Sequence, residues 1–268
     1  MFRILMQFTW LLCSSFSVLA SQNAAVMVTG LAGSVTENGK VLPLFSELPT
    51  NTELKLAPNS KVTLVLFANG QEYSVKGPGT VAIKSDSIAL DKQVIAGKAL
   101  LASTDGLNLA PKNFDQAATI MRGETAAASQ KIKLIYPLGG VLLEPAPSFK
   151  WTAPKPGLQY RIQIFNQLGD SLFVTQTQQT EVKLPENLKL PRDEQLSWVL
   201  EANVGDQVLS NTADFKLASP ALTERLSTLL PAKNPSVSQM ALYAKILENY
   251  GLLHAAENYR KKMRSNTN

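Results

Sequence analysis

Cysteine and histidine are almost missing from this chain: 268 residues hold one of each, Cys13 and His254. Beyond residue 13 there is no thiolate nucleophile, no cysteine metal site and no disulfide framework. One histidine leaves a zinc site to carboxylates, and a serine–histidine–acid triad would have to take His254 from the C-terminal stretch. Charge is scarce too. Asp, Glu, Lys and Arg make up 18% of residues, against about 25% in ordinary soluble domains. The net charge of +5 is mild and scattered, without the basic stripe and interleaved aromatics of a nucleic-acid footprint. Past the N-terminus no apolar run is long enough to span a bilayer. The expectation is therefore no catalytic, cofactor-binding or metal-ligating set, no cofactor, and no nucleic-acid partner.

Residues 1–20 read as a secretory signal peptide. Arg3 supplies the positive start, residues 8–19 the apolar run, and Val18-Leu19-Ala20 the small residues of a cleavage site, with the cut expected after about Ala20. The run is too short and too rich in serine for a membrane anchor. Leu11-Leu12 also lacks the small residues that lipidation of Cys13 would need. Loss of Arg3 leaves 25 basic against 21 acidic residues, a net charge of +4. A periplasmic or otherwise exported protein without disulfides fits a bacterial envelope.

What the chain does have is β pattern and turn residues, with 15 glycines and 15 prolines. The centre of its first part is the run 62–75, VTLVLFANGQEYSV, in which two strand-like segments flank Asn69-Gly70. Residues 61–67 are almost continuously apolar, as in a strand buried on both faces. Residues 72–75 alternate, as in a half-exposed one. Asn38-Gly39 supplies the positive φ angles of a type I′ turn, so the segments on either side are expected to pair. Gly30 and Gly33 are expected to punctuate the first strand, and Gly77-Pro78-Gly79 to end another. This is no phosphate loop, since neither a helix nor Gly-Lys-Ser follows.

The Gly-x-x-Gly-x-Val opening (Gly30 to Val35), a polar turn, a segment ending in a short strand (48–56), the apolar strand and Asn69-Gly70 together resemble the periplasmic domain of the FecR family. The resemblance covers residues 25–83, extending toward 100. It departs from the family at Leu48-Pro49-Thr50, which lacks the usual glycine. It implies an envelope β domain. The family's relay of a signal to a sigma factor is not expected to carry over.

Residues 103–131 are small and polar and read as a linker. From Ile132 a second β pattern runs to Leu217. Residues 159–165, QYRIQIF, alternate strictly, with Tyr160, Ile162 and Ile164 on one face. Phe149-Lys150-Trp151, this strand, a Leu-Pro corner and the late strand with Trp198 resemble a fibronectin type III or immunoglobulin-like β-sandwich. From Pro220 the pattern is helical, with Ser236 as an N-cap and Gly251 as a break between two helices that resemble one tetratricopeptide-type hairpin. A single hairpin cannot bury both faces, so it should pack on the sandwich or on a partner. The expected architecture is mainly β: signal peptide 1–20, FecR-like β domain 21–102, linker 103–131, sandwich 132–217 and a short α-helical tail 218–268.

Each chemical candidate has a plainer reading. His254 suits a solvated or interface position, and Asp193-Glu194 a polar turn after Leu190-Pro191. Trp151 and Trp198 could stack on a sugar but fit a sandwich core better. The basic cluster Arg260-Lys261-Lys262 with Arg264 could touch an anionic lipid or polymer, or simply complement a helix C-terminus. The leading expectation is a non-enzymatic binding or scaffold protein of the bacterial cell envelope, partnered by an envelope protein or a cell-wall polymer. The alternative is a glycan- or peptidoglycan-binding module using exposed aromatics such as Tyr73 or Tyr160. The third is a carboxylate-dependent hydrolase.

Overall fold

The computed structural model describes residues 24–102, 132–229 and 233–266. The expected signal peptide and linker lie outside the described residues. The fold is mainly β, with three short helices near the C-terminus. Among the described residues no helix is long and apolar enough to cross a membrane.

The first β unit contains two sheets. One has the order β11 (Lys98–Ala99), β7 (Gln71–Lys76), β6 (Lys61–Leu66), β1 (Ala24–Ala32), β4 (Glu47–Pro49). The other runs β10 (Gln93–Val94), β9 (Ile88–Leu90), β8 (Gly79–Ile83), β5 (Glu53–Leu56), β2 (Val35–Glu37), β3 (Lys40–Val41). Val26, Val28, Leu54, Leu56, Val62, Leu64, Leu66, Val81 and Ile83 from both sheets share one core. The β6–β7 hairpin pairs Val62 with Val75 and Leu66 with Gln71. Its loop is four residues long and closes with Gly70 at φ +65°. The β2–β3 connection is the two-residue turn expected at Asn38-Gly39, with φ of 49° and 78°. β1 corrects one expectation, because Gly30 does not end it. The strand bulges between Val28 and Gly30 and continues to Ala32. A Cβ at Gly30 would sit 3.1 Å from the Thr63 side chain, so the glycine permits a close strand pairing there.

The second β unit is a sandwich with a separate core. A three-stranded sheet, β12 (Lys133–Tyr136), β14 (Ser148–Thr152), β17 (Glu181–Lys183), faces a five-stranded one. The latter runs β13 (Val141–Leu142), β19 (Gln207–Leu217), β18 (Gln195–Val204), β15 (Tyr160–Phe165), β16 (Ser171–Thr177). The aromatic centre is built by edge contacts. Phe149 meets Trp198 at 5.1 Å and Phe215 at 5.6 Å, and Trp151 meets Tyr160 at 5.2 Å between ring centroids. The Trp198 indole donates to the Pro137 carbonyl at 3.0 Å, which satisfies its buried N–H.

The helices are α1 (Pro220–Thr228), α2 (Val237–Asn249) and α3 (Leu253–Ser265). Pro220 opens α1 behind an N-cap at Ser219. Ser236 and Gln239 form a reciprocal capping box on α2. Nine residues of α2 are buried, all round the helix, which marks an element packed on more than one side.

Candidate functional site

The feature that organises the molecule is the joint these helices make. β6 is covered on both faces: Val62, Leu64 and Leu66 face the first unit's own core, while Val65 and Phe67 turn the other way. With Met27 and Leu100 they form an apolar floor. Met240, Leu242, Tyr243, Ile246 and Leu247 of α2, with Leu252, Ala256 and Met263, fill the space above it. The hairpin expected to pack on the sandwich or a partner is thus seated chiefly on the first unit's sheet.

Polar groups fix its register. Thr29 Oγ1 lies 2.9 Å from Ser238 Oγ in a buried pair between β1 and α2. Gln239 Nε2 donates to the Leu100 carbonyl at 3.4 Å. Arg260 of α3 donates to Glu47 of β4 at 2.7 Å and also pairs with Glu248 of α2. Lys245 lies 3.4 Å from Glu248, with its ammonium 5.4 Å from the Phe67 ring centre. Burial pulls the Lys245 pKa down, and Arg260 adds to the fall while Glu47 opposes it. Burial, helped by the nearby Tyr259 phenol, pushes Tyr243 up to about 12.

The other side of the joint touches the sandwich. The Val141 N–H donates to the Gly251 carbonyl at 2.9 Å, and Val141 and Leu143 pack on the helical core. Gly140 holds φ +73°, and a Cβ there would stand 2.8 Å from the Gly251 oxygen, so the helix turn can sit close only over glycine. The Tyr136 ring meets His254 at 4.4 Å, and its hydroxyl donates to Glu144 at 2.6 Å. Burial and then Glu144 push the Tyr136 phenol up. Arg192 reaches the Ala218 carbonyl at 3.0 Å at the start of α1.

His254 thus lies against the Tyr136 ring at the joint and is otherwise exposed. Asp193 is a turn residue at φ +62°, paired with Lys216 at 2.6 Å. Trp151 and Trp198 are core. Tyr73 and Tyr160, expected as exposed aromatics, are 3% and 1% exposed. Both sit on strands whose apolar side faces inward, so neither offers a stacking surface. The basic cluster does not form one patch: Arg260 is turned into the joint, Arg264 pairs with Glu257, and Lys262 lies over Tyr259. The joint itself was legible only in part. The continuous apolar run of β6 signals a second cover, but nothing in its residues says what supplies it.

Two shallow hollows lie away from the joint. One, of about 390 Å³, is lined by Glu37, Asn38, Thr50, Asn51 and Glu53. The other, of about 330 Å³, is lined by Gln159, Arg161, Gln176, Glu201, Asn203 and Val208. Among the described residues no three His, Cys, Asp or Glu side chains gather as a metal site would require. No protein-family model matches the chain, and no curated protein proved similar to it.

Proposed function

We propose that this chain is an exported, non-enzymatic binding or scaffold protein of the bacterial cell envelope. In this reading its first unit is of the FecR type and its second is an immunoglobulin-like sandwich. The observation that carries the reading is the helical joint: one apolar core ties the two β units together and leaves loops and both hollows away from it. A scaffold works by holding binding surfaces at fixed separation, and a shared core does that where a bare linker would not. Export rests on the residue pattern of 1–20. In-cell cross-linking followed by mass spectrometry tests the proposal. A recurrent envelope protein or wall polymer is expected, and a chain that captures neither would refute it.

A second reading, glycan or peptidoglycan binding, is favoured by one feature. The hollow beside β15 and β18 presents Gln159, Gln176, Asn203, Arg161 and Glu201, groups that hydrogen-bond to hydroxyls. With Tyr73 and Tyr160 buried, affinity would have to come from these polar groups. Co-sedimentation with purified wall polymer, lost in Gln176→Ala, is the expected result. Absence of co-sedimentation would remove this reading.

A further inference from the structure

The five-stranded sheet of the sandwich turns one side to its core and the other outward. Pairing register fixes which side chains share the outer side. Gln163 of β15 lies between Val174 of β16 and Val199 of β18, with Thr212 of β19 beyond. Arg161 lies between Gln176 and Glu201, with Ser210 beyond. Phe165 lies between Ser171 and Ser197, with Asp214 beyond. Asn203 and Val208 form a further pair at the end that holds the hollow. Four strands spaced about 4.8 Å apart make a platform roughly 14 Å wide.

Two properties set this face apart. Its charges are already engaged. Arg161 pairs with Glu201 at 3.4 Å, Lys216 pairs with Asp193 at 2.6 Å, and Asp214 accepts the Ser197 hydroxyl at 2.6 Å. The outer side of the three-stranded sheet, by contrast, exposes Lys133 and Lys183. The groups left over on the larger sheet are amides and hydroxyls, among them Gln163, Gln176, Asn203, Ser210 and Thr212, and these both donate and accept. The face also carries an aromatic ring. Strand alternation puts Phe165 on the side of Arg161 and Gln163, half-buried and outside the sandwich core. It stands four residues along β15 from Arg161, which lines the hollow, a separation of about 13 Å.

We propose that this face binds an uncharged polysaccharide, laid along β15 with one sugar ring stacked on Phe165 and another hydrogen-bonded in the hollow by Gln159, Gln176 and Asn203. The ligand class follows from the groups present. An anionic polymer or a nucleic acid needs free cations, and Arg161 and Lys216 are both paired. A protein partner is anchored by aromatic and arginine side chains at the centre of a desolvated patch, whereas Phe165 lies between two serines. A polyol needs donors and acceptors together, and a ring to cover the apolar side of a pyranose. Phe165 and the hollow are farther apart than one sugar ring reaches, so the ligand is a chain and not a free sugar. The inference rests on the glycan reading and deepens it, by naming an uncharged chain and adding an aromatic ring outside the hollow.

The test is co-sedimentation of the purified full chain with cellulose, mannan and chitin, all uncharged, beside purified wall polymer. At least one uncharged polymer should pellet the chain, equally well in high salt. A soluble oligosaccharide of that polymer should compete, and its free monosaccharide should not. Phe165→Ala should weaken the binding about tenfold, and Phe165→Tyr should keep it. Gln163→Ala, a gentler change on the same face, should weaken it about threefold. Unchanged tryptophan fluorescence shows that each variant keeps the sandwich. Wall polymer that pellets the chain when none of the three uncharged polymers does overturns this inference and leaves the glycan reading standing. Failure of all four removes both. Binding that high salt abolishes, that the monosaccharide displaces as well as the oligosaccharide, or that both Phe165→Ala and Gln163→Ala leave intact also overturns the inference.

Discussion

The two β units solve the same problem differently. The second closes its core with its own two sheets, around Phe149, Trp151, Trp198 and Phe215. The first fills the space between its sheets but leaves Met27, Val65 and Phe67 apolar on the far side, and borrows helices from the other end of the chain to cover them. The sandwich is thus complete in itself, whereas the first unit is complete only with its cover. The difference also sorts the edges: the borrowed helices guard β4 and β13, and β16, on the far side of the sandwich, has no such guard.

The contrast can be broken at the joint. Trp151 and Trp198 are the tryptophans outside residues 1–20, so their fluorescence reports the sandwich. Ala244→Glu would bury a carboxylate at a position 0% exposed in the helical core. It should cost about 4–5 kcal/mol. Calorimetry is expected to show the first unit's transition lost or strongly lowered while the tryptophan transition stays in place. If both move together, the units unfold as one and the contrast fails. Phe67→Ala should remove about 3–4 kcal/mol from the first unit. Phe215→Ala should do the same to the sandwich, and urea unfolding followed by tryptophan fluorescence should respond to the second substitution alone.

Alkaline pH reaches both units through buried phenols. Tyr243 titrates at about 12 in the folded chain, raised from 10.0. A phenol whose folded pKa is raised stabilises fully below the unfolded value, and that contribution is lost as pH rises toward the folded one. A shift of that size corresponds to roughly 2–3 kcal/mol. Lys245, shifted down, acts oppositely: the unfolded chain holds its proton longer, so stability gains as pH climbs toward the ordinary lysine range. The expected net result is a loss of stability in both units as pH rises above about 10, since burial also raises Tyr259 beside Tyr243 and Tyr136 and Tyr160 in the sandwich. Tyr243→Phe should lessen the first unit's share of that loss, with Tyr259 supplying the remainder, and leave the alkaline response of the tryptophan fluorescence unchanged, as read by urea unfolding in that window. The smallest effect expected is that of Arg260→Ala, about 1.5 kcal/mol. It should shrink in high salt, because the Glu47–Arg260–Glu248 network is partly open to solvent.

Much of this was legible in the residues because the signals were local. Asn38-Gly39 dictated its turn, the alternation of 159–165 dictated β15, and Ser236 marked the start of α2. The failures came where distant partners decided. Gly30 reads as a break but is a bulge, since Thr63 on the neighbouring strand needs the room. The polar residues 210–212 do not interrupt β19, because β18 pairs along its whole length from Val204–Gln207 to Gln195–Lys216. Tyr73 and Tyr160 looked available because aromatic character does not say which way a strand faces. Arg260 looked like part of a solvated cluster because its partner Glu47 lies 213 residues away.

That last separation bears on the order in which the molecule can be made. Thr29 meets Ser238 across 209 residues, and Arg260 meets Glu47 across 213. Domains commonly fold as they are synthesised, the N-terminal one first. Here the first unit emerges first and finishes last: its floor of Met27, Val65 and Phe67 must wait, greasy and uncovered, until the final helices leave the ribosome. The sandwich, begun later, can be finished sooner. A holding chaperone acting during synthesis would find its work at the beginning of this chain, on a surface that the finished protein hides.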